Sequence, residues 1–303
     1  MKIYTIIVTY NAMRKDWIER CLQSLEASSV PVIPIVIDNA STDNTVAYIQ
    51  EHYPKTILLQ QEKNLGFGQG NNLGIQYALK NGADCVILLN QDASLHPHAV
   101  EHMMKGYDGE SLISPVHYNG DGTGLDKMFR NNTLCLSQSD LLDNLLTEKD
   151  LMPSYPIGEV AAACWLLPAK LLKTVGGFNP LFFQYGEDNN YYQRLCYHAK
   201  KILLCPKAKM YHDRQMHGNI QLYNKNLLHK EVLLIVCDIN KSFWSSIPAL
   251  IMLTVKCYRK RLPHRQYKIG GLTRELIWAI AHTPRILWSR REEKSNNATW
   301  LKL

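Results

Sequence analysis

The sequence predicts an α/β fold, an open and mostly parallel sheet with helices on both faces. Two observations predict it. Over the first 120 residues, short apolar runs rich in Ile and Val alternate with stretches whose apolar residues recur at helical spacing. Three of those runs also end directly in polar residues, as strands do where an α/β sheet opens onto a ligand.

Taken in order, Tyr4–Thr9 reads as a buried strand, and Trp17, Cys21, Leu22 and Leu25 mark one helical face. Val32–Asp38 is the next strand, with Thr42 and Asp43 opening a second helix. Thr56–Leu59 is a strand, and Asn71–Lys80 is a helix stopped by Asn81-Gly82. Cys85–Leu89 and Leu112–Val116 read as further strands, whereas Asn119 to Ser154 has no readable period. Ala161–Leu167 is again strand-like, Pro168 opens a short helix ending at Gly176-Gly177, and Gly186-Glu187-Asp188 opens a longer one to about Ala199. Ile202–Cys205 and Lys209–His212 read as two short edge strands, and the pattern from Gln221 is helical.

Composition narrows the class. With 303 residues, 46% apolar and 20% charged, the chain can bury a large core and is neither disordered, collagenous nor coiled coil. Its eight cysteines are scattered without a C-x-x-C pair, which argues against a zinc site or disulfide frame and fits a reducing cytosol. The N-terminal apolar run is too short for a signal-peptide core. The longest apolar stretch, Ile247 to Val255, falls far short of the ~18 residues of a membrane-spanning helix. No span is expected. The net charge of +7 is uneven: residues 241–303 carry 13 Lys/Arg against 3 Asp/Glu, and residues 1–240 carry 21 against 24. The basic end points to a nucleic acid or membrane partner.

Four segments and one histidine carry the chemistry. In Asp38-Asn39-Ala40-Ser41-Thr42-Asp43, Asp38 can accept the N–H of a pyrimidine ring; the plain alternative is a strand–helix loop with an N-cap. Asn64-Leu65-Gly66-Phe67-Gly68-Gln69-Gly70-Asn71 misses the dinucleotide fingerprint, because position 71 is Asn and the run does not follow the first strand. It reads as a Gly-rich turn before a helix N-terminus that favours phosphate, or as a turn alone. Asn90-Gln91-Asp92 puts an amide and a carboxylate on one side of an extended chain, oxygen ligands suited to Mg²⁺ or Mn²⁺ on a diphosphate. Taken alone, one Asp at a strand end is more often a turn former. Glu187-Asp188 follows an aromatic, Gly-rich run that would desolvate a general base, although acids at a helix start also offset its dipole. His212 could serve as a third ligand, or be structural.

In their order over roughly residues 1–215, these segments resemble family 2 glycosyltransferases of the nucleotide-sugar-binding GT-A fold. With Ile7-Val8-Thr9-Tyr10-Asn11 and Val175-Gly176-Gly177-Phe178, they are most similar to the rhamnosyltransferase-like members that build surface polysaccharides. The resemblance implies that Thr9 and Asp38 hold the nucleoside, and that Asn64, Gly66 and Gly68 close on the ribose and sugar phosphate. Tyr10, Asn11, Asn39, Asn90 and Gln91 are implied on the donor side, Asp92 and His212 at a Mg²⁺ or Mn²⁺ ion, and Asp188, with Glu187 beside it, as the base. Two positions depart from the family: the metal motif keeps one carboxylate, and position 190 is Asn where a further acid is common.

The implied organisation is a GT-A catalytic domain over 1–220, with a nucleotide-binding half at about 1–118 and an acceptor-binding half at 119–220, then a helical basic region over 221–303. The implied reaction is inverting transfer from a dTDP- or UDP-sugar to a glycan or lipid-linked acceptor, in the cytoplasm or peripherally on the inner face of the membrane. A nucleotide-sugar-binding module without transfer activity is the alternative. A nucleotidyltransferase would want a Gly-rich basic loop after the first strand, where this chain has Thr9-Tyr10-Asn11-Ala12. In the tail, Trp and Arg beside short apolar runs suit either a helix in an anionic membrane interface or a packed helical layer with a basic rim. Nucleic acid is not indicated, since no binding motif accompanies the charge.

Overall fold

The computed structural model describes residues 1–134, 140–214, 220–258 and 269–302. Its N-terminal part alternates strand and helix: β1 (Ile3–Thr9), α1 (Trp17–Glu26), β2 (Ile33–Asp38), α2 (Thr45–His52), β3 (Ile57–Gln60), α3 (Gly66–Lys80) and β4 (Cys85–Leu89). β1 is parallel to both β2 and β4, and β2 to β3, so four carboxyl ends open on one edge.

Then follow β5 (Ala93–Leu95), α4 (Ala99–Lys105), β6 (Leu112–Asn119), α5 (Leu141–Leu146), β7 (Tyr155–Ile157), β8 (Cys164–Pro168), α6 (Ala169–Val175), α7 (Glu187–Tyr197) and β9 (Ile202–His212). The sheet order is β3-β2-β1-β4-β8-β6-β9-β5, with β7 also on β9. The parallel character therefore holds for the four site-forming strands and for β6 with β9, while β8, β5 and β7 join antiparallel.

Strand alternation sends residues to two cores. Ile6, Ile35, Ile37 and Val86 pack with Ile75 of α3 and Leu171 of α6. Ile7, Val36 and Ile87 pack on the opposite face with Leu22 of α1 and Ile49 of α2.

Three local expectations are corrected. The residues read as two edge strands, Ile202–Cys205 and Lys209–His212, form one interior strand, β9. Pro206 explains the misreading: it has no N–H to donate, and the pairing with β6 skips from Cys205 to Lys209. α2 begins at Thr45 rather than Thr42, because Thr42 N–H donates to Asn11 Oδ1 (2.8 Å) and Asp43 Oδ1 accepts from Thr45 N–H (3.1 Å). α3 starts at Gly66, five residues before the expected start, so the glycine-rich run is helix and not a turn. Its glycines let it lie close: a Cβ at Gly74 would sit 2.5 Å from Ile6, and one at Gly68 2.9 Å from Phe178. Close packing overrides the poor helix propensity of glycine.

The chain ends in α8 (Ile220–Val236), α9 (Ser246–Tyr258), α10 (Ile269–Ala281) and α11 (Thr283–Glu293). Leu228, Val232, Leu253, Leu272 and Ile286 form a third core there, which takes in Leu181 and Phe182 ahead of α7. Buried Arg194 of α7 pairs with buried Glu293 of α11 (3.8 Å), and Asn179 Nδ2 donates to the same Glu293 (2.8 Å). The basic cluster Arg259-Lys260-Arg261 lies outside the described residues. Among the described residues, no helix is long and apolar enough to cross a membrane.

Candidate active site

The carboxyl edge of the parallel strands borders a cleft of about 280 Å³. Thr9 and Tyr10 reach it from β1, Asn39 from β2, Asn64 and Gly66 from the start of α3, and Asn90, Gln91 and Asp92 from the end of β4. Phe183 and Gln184 close the far side.

The walls are tied by hydrogen bonds between loops. Tyr10 N–H donates to Gln91 Oε1 (2.8 Å), and Gln91 Nε2 donates back to the Tyr10 carbonyl (3.4 Å), fixing the ends of β1 and β4. Asn11, at a φ of 51°, takes Ser41 Oγ on its N–H (2.9 Å). Asn39 accepts from Leu65 N–H (3.4 Å) and donates to the Gly66 carbonyl (3.2 Å). Asn64 Oδ1 accepts from Gly66 N–H (2.8 Å). Gly66 has a φ of +80°, and a Cβ there would fall 2.2 Å from the Phe183 carbonyl oxygen, so only glycine lets the two cleft walls meet.

Asp38 is 2% exposed and lies behind Thr9. Its Oδ1 accepts from Thr9 Oγ1 (3.3 Å) and its Oδ2 from Ser41 N–H (3.1 Å). The structure thus gives Asp38 a place under the cleft floor, not on its wall. Gly68 faces Phe178, and Asn11 sits in the loop stitching. Neither lines the cleft.

Asp92 Oδ1 stands 3.3 Å from Nε2 of buried His212, brought together by the antiparallel pairing of β5 with the end of β9. Behind His212, Nδ1 is 3.9 Å from Asp126 Oδ2, which also accepts from Arg214 Nε (3.2 Å). Burial pushes the Asp126 carboxyl up, but the Phe129 N–H, Arg214 and His212 outweigh it and hold it below the ordinary range. Among the described residues, no cluster of three His, Cys, Asp or Glu forms a metal centre. The donors present are the Asp92 carboxylate, the His212 imidazole and Asn90 Oδ1, a buried oxygen with no hydrogen-bond partner among the described residues. This set fits a hard divalent ion that takes its other ligands from a diphosphate and water, and not a closed structural site.

The two acids at the start of α7 differ. Glu187 is 9% exposed, and its Oε2 has no hydrogen-bond partner among the described residues. Burial, then the neighbouring Asp188, push its carboxyl up to about 8. Asp188 is only partly buried, and its Oδ1 accepts from Asn189 N–H (2.8 Å). Glu159 adds a third acid whose carboxyl is raised by burial and by Asp188, with Lys230 acting the other way. Neither Glu187 nor Asp188 borders the cleft itself; they follow directly on its Phe183-Gln184 rim.

Sequence reasoning did not assign Phe183, Gln184, Asp126 or Glu159. The aromatic run before Gly186 was a signal for the first two. Asp126 and Glu159 lie in segments without periodicity and carry none.

A parallel sheet whose polar strand ends line one cleft, with a mixed second half bearing an acid pair, is the GT-A architecture of a glycosyltransferase. The model for "Glycosyl transferase family 2" matches residues 4–176, and the chain belongs to that family. It is 24% identical over 263 residues, covering 79% of this chain and 85% of the other, to an N-acetylglucosaminyl-diphospho-decaprenol L-rhamnosyltransferase of Mycobacterium tuberculosis. Among solved structures it is similar to S. aureus TarS residues 1–349 in complex with UDP-GlcNAc (TM-score 0.59, 16% identity, 99% of this chain and 90% of that one). It is also similar to the mannosyltransferase PcManGT of Pyrobaculum calidifontis with GDP-Man and Mn²⁺ (TM-score 0.56, 13% identity, 95% and 83%).

Proposed function

We propose that this glycosyltransferase moves a deoxyhexose or hexose, rhamnose foremost, from a dTDP- or UDP-linked donor to a hydroxyl of a glycan or lipid-linked acceptor, with inversion. The single observation that carries the reading is the cleft itself. Polar residues from three parallel strand ends and the start of α3 converge there, and its rim runs straight into Glu187-Asp188. The similar M. tuberculosis protein transfers L-rhamnose to a lipid-linked acceptor by its name, which supports the choice of sugar and acceptor.

In this reading Thr9, Tyr10 and Asn39 grip the nucleoside, with Asp38 holding Thr9 and Asn11 holding the loop. Asn64 and Gly66 meet the ribose and sugar phosphate, Gly68 seats α3, and Asn90 and Gln91 face the diphosphate. Residues 1–118 thus take the nucleotide, 119–220 take the acceptor, and 221–303 form the helical basic region. Asp188 accepts the proton as the acceptor oxygen attacks the anomeric carbon. The new C–O bond forms as the bond to the diphosphate oxygen breaks, and the electron pair leaves with the nucleoside diphosphate. Mg²⁺ or Mn²⁺, held by Asp92 and His212, would supply charge neutralisation for that leaving group.

Thermal shift with UDP, dTDP, GDP and CMP, each with and without Mn²⁺ or Mg²⁺, tests the reading. Stabilisation by dTDP or UDP that needs metal supports it. A response to GDP or CMP alone moves the donor class, and no response to any nucleotide overturns it.

A further inference from the structure

We infer that α9 to α11 form a docking face for an anionic lipid surface. The inference does not depend on which sugar is transferred.

α9 turns Ser246 and Leu253 inward, yet it exposes Ile247, Ile251, Met252 and Val255, a stripe at intervals of three and four residues. Ile251 is 59% exposed, and Trp244, just before the helix, is 74% exposed. A solvated helix face carries charge, and α9 has none before Lys256. α10, which packs with both α9 and α11, exposes Ile277 and Ile280, and α11 exposes Leu287 and Trp288. Single exposed apolar residues are ordinary on a protein surface, but a set shared by three packed helices marks an interaction site.

The charge around these residues selects the partner. Of the three acids in residues 241–303, Glu275 is buried against His229 and Arg274, Glu293 is buried against Arg194, and Glu292 is half-buried. Lys256 of α9 and Arg285 and Arg291 of α11 are exposed. The fold hides or pairs the acids and leaves the cations in solvent. Trp and aliphatic side chains beside exposed cations are the chemistry of a helix lying among anionic headgroups. A second copy meeting the same face would bring two strongly cationic surfaces together. Nucleic acid would meet the cations and leave Ile251 and Met252 in water.

The face is also joined to the active site. Leu181 and Phe182 sit in the core of this helical layer, and Asn226 Nδ2 of α8 donates to Gln184 Oε1 on the cleft rim (3.3 Å). A lipid-linked acceptor would thus meet the rim beside the layer that holds the bilayer.

The test is co-sedimentation of the full chain with vesicles of phosphatidylcholine, alone or mixed with phosphatidylglycerol. The protein should follow the mixed vesicles, and the bound fraction should fall as salt shortens the screening length. Ile251→Asp with Met252→Asp should release it without changing its thermal unfolding, because both side chains are exposed. Arg285→Glu, beside the exposed Leu287 and Trp288, should weaken binding to the mixed vesicles by about fivefold or more. Sedimentation with neither vesicle type, or equally with both, overturns the inference. So does a dimer in light scattering that Ile251→Asp splits, which would assign the face to a second copy.

Discussion

At the scale of residues, Glu187 and Asp188 are neighbours in different surroundings. Burial holds the Glu187 proton up to about 8, well above the ~4.3 of an unfolded glutamate. The folded state therefore binds this proton more tightly than the unfolded state. The stability it contributes is full below about 4.3 and is lost as pH rises through about 8. Glu187→Gln should flatten the fall in melting temperature over that range, and an unchanged pH profile would refute the assignment. Asp92→Ala should abolish the effect of Mn²⁺ on nucleotide affinity, read by calorimetric titration with and without the ion; undiminished metal dependence would place the ion elsewhere. Of the cleft residues, Thr9, Tyr10, Asn39 and Asn90 to Asp92 were legible because they stand at or directly after an apolar strand, and Asn64 and Gly66 because they open a glycine-rich run. Phe183 was not, since nothing local shows that its carbonyl meets Gly66. For Asp38 the sequence shows the residue type and its place at a strand end, but not the Thr9 hydroxyl and Ser41 N–H that its carboxylate accepts.

Among the elements, α3 and β9 show where pattern reading stops. Four glycines in α3 looked like a turn because low helix propensity is a local property and close packing is not. Gly74→Ala should cost roughly 1–3 kcal/mol by forcing a methyl against Ile6, measured by urea unfolding. Gly66→Ala should act differently. Its Cβ would push on the Phe183 carbonyl, so nucleotide affinity should fall more than stability does. A variant that binds nucleotide as the parent does would separate α3 from the cleft. β9 read as two pieces because Pro206 breaks the apolar run, whereas β6 holds both pieces in one strand. That continuity matters for the site: it carries His212, at the far end of β9, to Asp92.

On the scale of the whole molecule, the chain places its chemistry where two kinds of sheet meet. The parallel strands β1, β2 and β4 present the cleft, and the mixed half sets His212 against its Asp92 and carries the acids of α7 just beyond its Phe183-Gln184 rim. The first half was legible because every strand is a clean apolar run. The second was not, because its strands are short or broken and pair with partners far along the chain. The C-terminal helices complete the site from behind through Leu181, Phe182 and the Arg194–Glu293 pair. The most direct test of the account is the turnover of Asp188→Asn, followed as release of nucleoside diphosphate from a donor that the parent protein uses, with donor affinity measured alongside. The account predicts unchanged affinity and a rate lower by ~10²–10⁴. A variant that binds the donor and turns over at the parental rate would contradict it.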